Sequence, residues 1–255
     1  MALFKGILLD LGGVVYIGDK PYPGAIDAID RLRNAGLAVR FLTNTTRTPK
    51  TLLLQKLRGM GLAVSDEELF TPSMAARALI ERESLAPHFL IHEDLAEDFE
   101  DLPDGKNAAV IVGDAAEGFT YDALNAAFRE LEKGARFLAL ANNRSFRSTD
   151  GELSLDAGAF VAALSFASRK EPVVLGKPSP DFFEAALASM GCTPSEAAMV
   201  GDDVENDVGG AKASGIEGVL VRTGKYREGD EYTIAPPPDH VAQDLAAAAD
   251  WILAQ

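Results

Sequence analysis

Four apolar runs in this chain each lead into a residue able to handle phosphate or a metal ion. Ile7-Leu8-Leu9 ends at Asp10, Val39-Arg40-Phe41-Leu42 at Thr43, Val173-Val174-Leu175-Gly176 at Lys177, and Ala198-Met199-Val200-Gly201 at Asp202. Short apolar runs bounded by turn signals read as buried parallel strands. In an open parallel sheet, ligands bind beyond the carboxyl ends of the strands. One hydroxyl, one amine and two carboxylates can therefore converge on one crevice. That set suits a phosphoryl group held beside a divalent cation.

Each residue alone has a plainer reading. Asp10 precedes Leu11-Gly12-Gly13-Val14. A strand-end aspartate before glycines that turn tightly can attack phosphorus, and it can equally cap a turn. Asp202, Asp203, Glu205 and Asp207 put four acids in six positions. Such crowding is repulsive unless a cation or a helix N-terminus absorbs it. A solvated acidic loop is the commoner outcome, but the apolar run directly before Asp202 argues against it. Thr43-Asn44-Thr45-Thr46 offers a hydroxyl, an amide and backbone N–H groups to phosphate oxygens, although such clusters also cap helices. Lys177, entering from a buried run, would neutralise Asp10 and phosphate together. His88, His92 and His240 lack metal-binding spacing, so exposed or capping roles suit them better. Neither a G-x-G-x-x-G fingerprint nor a G-x-x-x-x-G-K-[ST] loop is present.

The elements that must position these residues alternate between strand and helix, which implies an α/β fold with right-handed crossovers. Helices are expected over 23–35, stopped by Gly36, and from Pro49 through Leu52, Leu53, Leu57 and Met60 to Gly61. Another follows Thr71 or Ser73. New strands then arise at 89–91, 108–112 and 137–140, with helices over 121–132 and 157–167. The acidic stretch 94–106, broken by Pro103 and Gly105, reads as an exposed connection. Residues 85–171 thus read as a second α/β unit inserted into a first formed by 1–84 and 172–255. An amphipathic helix carrying Leu245, Trp251 and Ile252 closes the chain.

Composition narrows the function classes. Of 255 residues, 39 are acidic and 24 basic, a formal charge of −15. Such a chain is repelled by nucleic acid and by anionic membranes. The single cysteine excludes an internal disulfide, and no run of about 18 apolar residues exists to span a bilayer. A soluble cytoplasmic protein acting on a small molecule is the expectation. The sequence is compatible with a homodimer but does not specify an oligomeric state.

Jointly, the four motifs resemble those of the haloacid dehalogenase superfamily of phosphatases and phosphotransferases, over the whole chain. The resemblance implies a Rossmann-like parallel-sheet core. The inserted unit resembles the larger α/β cap of the class that includes p-nitrophenyl phosphatases and ribonucleotide monophosphatases. Val112-Gly113, Thr120-Tyr121-Asp122-Ala123-Leu124 and Thr223-Gly224-Lys225-Tyr226 look most like the phospholysine phosphohistidine inorganic pyrophosphate phosphatase branch. By resemblance, Asp10 is the nucleophile. Mg²⁺ is bound by Asp10, the Gly12 carbonyl and Asp202, with Asp203 and Asp207 in support. Phosphate is held by Thr43, Asn44 and Lys177, with Leu11 and Gly12 lining the same site.

One departure matters. The family pattern has Asp two residues after the nucleophile, as the acid that protonates the leaving group; this chain has Gly12. Acid–base assistance, worth roughly 10²–10⁴-fold, then has no evident provider. Substrates with good leaving groups, such as pyrophosphate, acyl or aryl phosphates, are favoured over alkyl esters. Two readings follow: a magnesium-dependent phosphatase acting through an aspartyl phosphate, and a weak or inactive phosphometabolite-binding protein on the same fold. A dehalogenase is disfavoured, since the acids around Asp202 would then lack a purpose.

Overall fold

The computed structural model describes residues 4–147 and 152–255. The chain begins with β1 (Gly6–Asp10), α1 (Ala25–Asn34), β2 (Ala38–Leu42), α2 (Lys50–Gly59) and β3 (Leu69–Phe70). It continues through α3 (Pro72–Glu83), β4 (Leu85–Leu90), β5 (Asn107–Val112), α4 (Tyr121–Glu132), β6 (Arg136–Ala139), α5 (Ala157–Ser168) and β7 (Val173–Val174). It ends with α6 (Pro180–Met190), β8 (Ala197–Gly201), α7 (Gly210–Ala213), β9 (Glu217–Val221), β10 (His240–Ala242) and α8 (Leu245–Leu253).

Two compact units result. The first comprises 1–43, 54–70 and 177–255, the second 44–53 and 71–176.

The first unit is built on a six-stranded, wholly parallel sheet in the order β10-β9-β8-β1-β2-β3. Every residue of β1 and β8 is buried, which explains why both read as unbroken apolar runs: helices cover both faces of such a sheet. Strand order reverses between β1 and β8, the switch point beside which open α/β sheets bind ligands. Helix α1 ends as its sequence dictates, with Gly36 at φ +86° just beyond it. On α2, Leu53 and Leu57 are buried as expected, while Leu54 is buried in place of Leu52, which is exposed.

The second unit carries a four-stranded parallel sheet, β7-β6-β5-β4. Val110, Val112, Phe137 and Ala139 pack with Leu131 and Val161 in one apolar cluster. Ala109, Ile111 and Leu138 pack with Ala76, Ile80, Leu95 and Phe99 in another.

Its boundaries differ from the expected 85–171, for identifiable reasons. Helix α3 belongs to it because Ala76, Leu79 and Ile80 pack with Leu85, Ala109 and Ile111. Segment 44–53 belongs to it through hydrogen bonds: Asp114 N–H donates to Thr46 Oγ1 at 2.9 Å, Arg47 forks onto Asp114, and Lys50 N–H donates to Asp98 at 3.0 Å. Val173-Val174, expected as a core strand, pairs instead with β6. The connection 94–106 is only partly exposed. Glu93–Phe99 forms a 3-10 helix whose Leu95 and Phe99 are buried in the second cluster.

Among the described residues, no helix is long and apolar enough to cross a membrane.

Candidate active site

The parallel register decides where the chemical groups lie. Asp10 closes β1, and its register partner on β2 is Leu42, so Thr43 begins one residue beyond it. On the other side, Leu9 pairs with Val200 of β8, and Asp202 follows the end of that strand. Lys177 leaves no core strand. It enters from the segment between β7 and α6, and its ammonium nevertheless reaches the carboxyl ends of the sheet, donating to the Asp10 carboxylate and to Leu42 O at 3.3 Å. It also pairs with Asp207 Oδ1 at 2.6 Å.

Asp10, Thr43, Lys177, Asp202 and Asp207 are all buried, none more than 7% exposed. Oxygens of Asp10, Asp202 and Asp207, one from each, lie within 4.8 Å of one another. Three carboxylates thus share a shielded space with the Lys177 ammonium, which pairs with Asp10 and Asp207, while the Lys225 ammonium, paired with Asp203, acts on them from beside it. The electrostatic consequences are large. Burial, then the charges of Asp10 and Asp207, drive the Asp202 carboxyl well above the usual carboxylate range. Burial raises Asp207 to about 6 even though Lys177 opposes it. Burial alone would lower Lys177, but Asp10 and Asp207 more than offset it, so the ammonium holds its proton more tightly than an exposed lysine.

Such an excess of buried negative charge calls for a cation. The donor set is all oxygen and suits a hard ion. Oxygens around magnesium, at about 2.1 Å from the metal, lie about 3–4 Å apart, close to the spacing available here. Asp10, Asp202 and Asp207 therefore fit a small dication.

The remaining expected residues divide. The Leu11 side chain is buried, and its carbonyl accepts from Val15 at 2.9 Å and Tyr16 at 3.1 Å, so only its N–H can face a ligand. Gly12 is exposed, and a Cβ there would meet nothing within 4 Å. Asn44 falls within the second unit, where its amide donates to Asn143 Oδ1 at 3.2 Å. Asp203 is engaged locally: it accepts from Glu205 N, Asn206 N and Lys225 Nζ. Burial would raise its pKa, but Lys225 and the Asn206 bonds outweigh burial and lower it. His92 caps Asp94 N at 3.2 Å, His240 stacks on Trp251, and neither belongs to the acidic cluster.

Two features went unread in the sequence. Asp207, expected only as support, is a direct partner of Lys177. Its signal was its four-residue spacing from Asp203, whose N–H donates to Asp207 Oδ2 at 3.1 Å. Lys225, met only as part of a resemblance, donates its backbone N–H to Asp202 Oδ2 at 2.6 Å. The signal was available: Thr223-Gly224 follows another strand end, that of β9.

The chain is similar to known proteins over nearly its whole length. Residues 7–103 match the family model described as haloacid dehalogenase-like hydrolase, and 174–248 one described as HAD-hydrolase-like. The chain is 43% identical over 249 residues to human haloacid dehalogenase-like hydrolase domain-containing protein 2, covering 98% of this chain and 96% of that protein. It is 42% identical over 258 residues to phospholysine phosphohistidine inorganic pyrophosphate phosphatase of Xenopus laevis, covering 98% and 95%. Among solved structures, the 4-nitrophenylphosphatase of Thermotoga maritima superposes with a TM-score of 0.89 at 26% identity, over 98% of this chain and 97% of that one. A glycerol phosphate phosphatase of Mycobacterium tuberculosis, solved in complex with magnesium, gives 0.81 at 26% identity, over 96% and 76%.

Proposed function

This chain belongs to the haloacid dehalogenase-like hydrolase family and is a phosphatase hydrolase, and from that premise we propose that it is magnesium-dependent and works through an aspartyl phosphate on Asp10. The single observation that carries this reading is the buried trio of Asp10, Asp202 and Asp207 with Lys177 among them. Asp10, Asp202 and the Gly12 carbonyl would hold the ion, with Asp203 and Asp207 supporting them. Bound magnesium would neutralise phosphoryl oxygens and the surplus carboxylate charge.

In the first half-reaction, an Asp10 oxygen forms a bond to phosphorus as the bond from phosphorus to the leaving oxygen breaks. The electron pair leaves with that oxygen. In the second, water attacks phosphorus, the Asp10–phosphorus bond breaks, and inorganic phosphate departs with Asp10 restored. Lys177 orients the Asp10 carboxylate and offsets the charge of the incoming phosphoryl group. Thr43 and the backbone N–H groups of Leu11 and Gly12 receive phosphoryl oxygens.

Leaving-group preference follows from who can give a proton. Gly12 has none to give. Lys177 and Tyr16 both feel the charge of Asp10, but both hold their protons too tightly: Lys177 is raised, and Tyr16 is pushed up to about 12 by burial and then by Asp10 and Asp19. An efficient general acid has a pKa near the working pH. With Asp207, raised to about 6, paired to Lys177 and Asp202 assigned to the ion, the leaving group departs largely unprotonated in this reading, which favours pyrophosphate, acyl phosphates and aryl phosphates.

The test is turnover of p-nitrophenyl phosphate and pyrophosphate with and without magnesium, combined with acid-quench trapping of the phosphoenzyme. Magnesium-dependent turnover with a trapped acyl phosphate is expected. Binding of phosphate compounds without turnover of either substrate would favour the second reading, a binding protein that lost its chemistry with the acid at position 12.

A further inference from the structure

The turn after β9 contributes no side chain to the proposed reaction, yet it contacts both halves of the proposed metal site. We propose that Thr223 and Gly224 are positioning residues that set the Asp202 carboxylate against the turn carrying the Gly12 carbonyl, and thereby set magnesium affinity. The inference rests on the magnesium reading above.

Asp202 and Gly12 follow different strands, β8 and β1, and nothing in a parallel sheet fixes two loop ends to within the tolerance a magnesium ion demands. A third loop does so here. Lys225 N–H donates to Asp202 Oδ2 at 2.6 Å. The same oxygen is pressed between two glycine backbones. A Cβ on Gly224 would fall 1.9 Å from it, and one on Gly13 2.1 Å from it. Gly13 and Gly224 also touch each other, since a Gly224 Cβ would lie 2.6 Å from the Gly13 Cα. Both have positive φ, +91° and +59°, so neither tolerates a side chain sterically or conformationally.

The Thr223 hydroxyl closes the arrangement by donating to Gly13 O, one residue beyond the carbonyl proposed to hold the ion. Tyr22 adds a further tie, its hydroxyl oxygen accepting from Gly224 N–H at 3.3 Å. Asp202 Oδ2 is thus held by backbone, which leaves Oδ1 for the cation. Partners of this kind, one shell beyond the ligands, typically govern 10–100-fold in metal affinity.

The hydroxyl can be removed without changing shape. Magnesium dissociation constants, measured by calorimetry on the full chain, should rise about tenfold in Thr223→Val and return to within about threefold of the parent in Thr223→Ser. At saturating magnesium the kcat of Thr223→Val for p-nitrophenyl phosphate should recover, as a defect confined to metal positioning requires. Thr223 is half-buried in a loop, and circular dichroism checks the fold. If Thr223→Val fails to fold, Thr223→Ala serves in its place. Asp202→Asn separates the two claims. If it binds magnesium like the parent, the metal assignment fails and this inference with it. If Asp202→Asn loses magnesium while Thr223→Val keeps parental affinity, or if Thr223→Ser is as weak as Thr223→Val, only the positioning role is overturned.

Discussion

At the scale of single residues, the proposed chemistry rests on Asp10 and on what is missing at position 12. Asp10→Asn replaces the nucleophile with an amide that cannot attack phosphorus while keeping its shape. Turnover of p-nitrophenyl phosphate should fall about 10³-fold or more, on the scale seen when a covalent nucleophile is removed. A variant retaining a tenth of the parental rate would indicate direct attack by water. Gly12→Asp tests the missing acid. A Cβ at Gly12 meets open space, and its backbone is not among the positive-φ glycines, so the substitution is sterically permitted. Protonation helps most where the leaving group is most basic. kcat/KM for an alkyl phosphate should therefore rise by roughly one to two orders of magnitude, and that for p-nitrophenyl phosphate or pyrophosphate much less. An equal change for all three in a folded variant would reject the missing-acid explanation.

At the scale of elements, two adjacent glycines in the turn after β1 play opposite parts. Gly12 has room and no positive φ, whereas Gly13 sits at φ +91° with the Asp202 carboxylate where a Cβ would go. Gly12→Ala should change stability by no more than about 0.5 kcal/mol, as at an open surface position. Gly13→Ala incurs left-handed backbone strain, of order 1–3 kcal/mol, plus displacement of Asp202. Denaturant melts of the two variants measure this directly. Equal midpoints would mean that the turn does not need its second glycine. The same turn explains why Leu11 faces inward: its carbonyl accepts from Val15 and Tyr16, and folding the chain back on itself this way buries the side chain.

At the scale of the whole molecule, the acidic cluster couples stability, pH and metal. Asp207 titrates near 6 when folded, against an ordinary value of 3.8. Between those values the folded chain binds more protons than the unfolded one. The contribution of this group is therefore fully present below about 4 and is lost as pH rises through about 6. Asp202 shifts in the same direction, while Lys177 stays charged across this window. In the proposed reading, magnesium would take the place of those protons. The rise in Tm caused by millimolar magnesium should thus be larger at pH 7.5 than at pH 5. At a hundred times its dissociation constant a ligand adds about 2.7 kcal/mol, which amounts to several degrees. An increment equal at both pH values, or larger at pH 5, in differential scanning calorimetry would contradict this coupling.

What the sequence by itself determined is the local grammar. Unbroken apolar runs specify β1 and β8 because both faces of a parallel strand are covered. Pro, Thr and Gly at their ends mark α1, α3 and α4, since caps act within a few residues. Asp10, Thr43 and Asp202 were legible because each directly follows such a run. Tertiary structure decided everything that depends on partners distant in the chain. Val173-Val174 looks like any short core strand, and only pairing with β6 assigns it to the second sheet. Segment 44–53 carries no composition that betrays its unit, which hydrogen bonds to Asp98 and Asp114 settle. Asp207 and Lys177 are 30 residues apart in sequence, and Gly13 and Gly224 more than 200. The glycines meet because strands remote in sequence end on the same edge of one sheet, and Lys177, which ends no core strand, is brought to that edge by the segment between β7 and α6. Chain connectivity sets which residue ends each strand, but strand order and register, fixed by packing of the whole core, decide which of those ends meet.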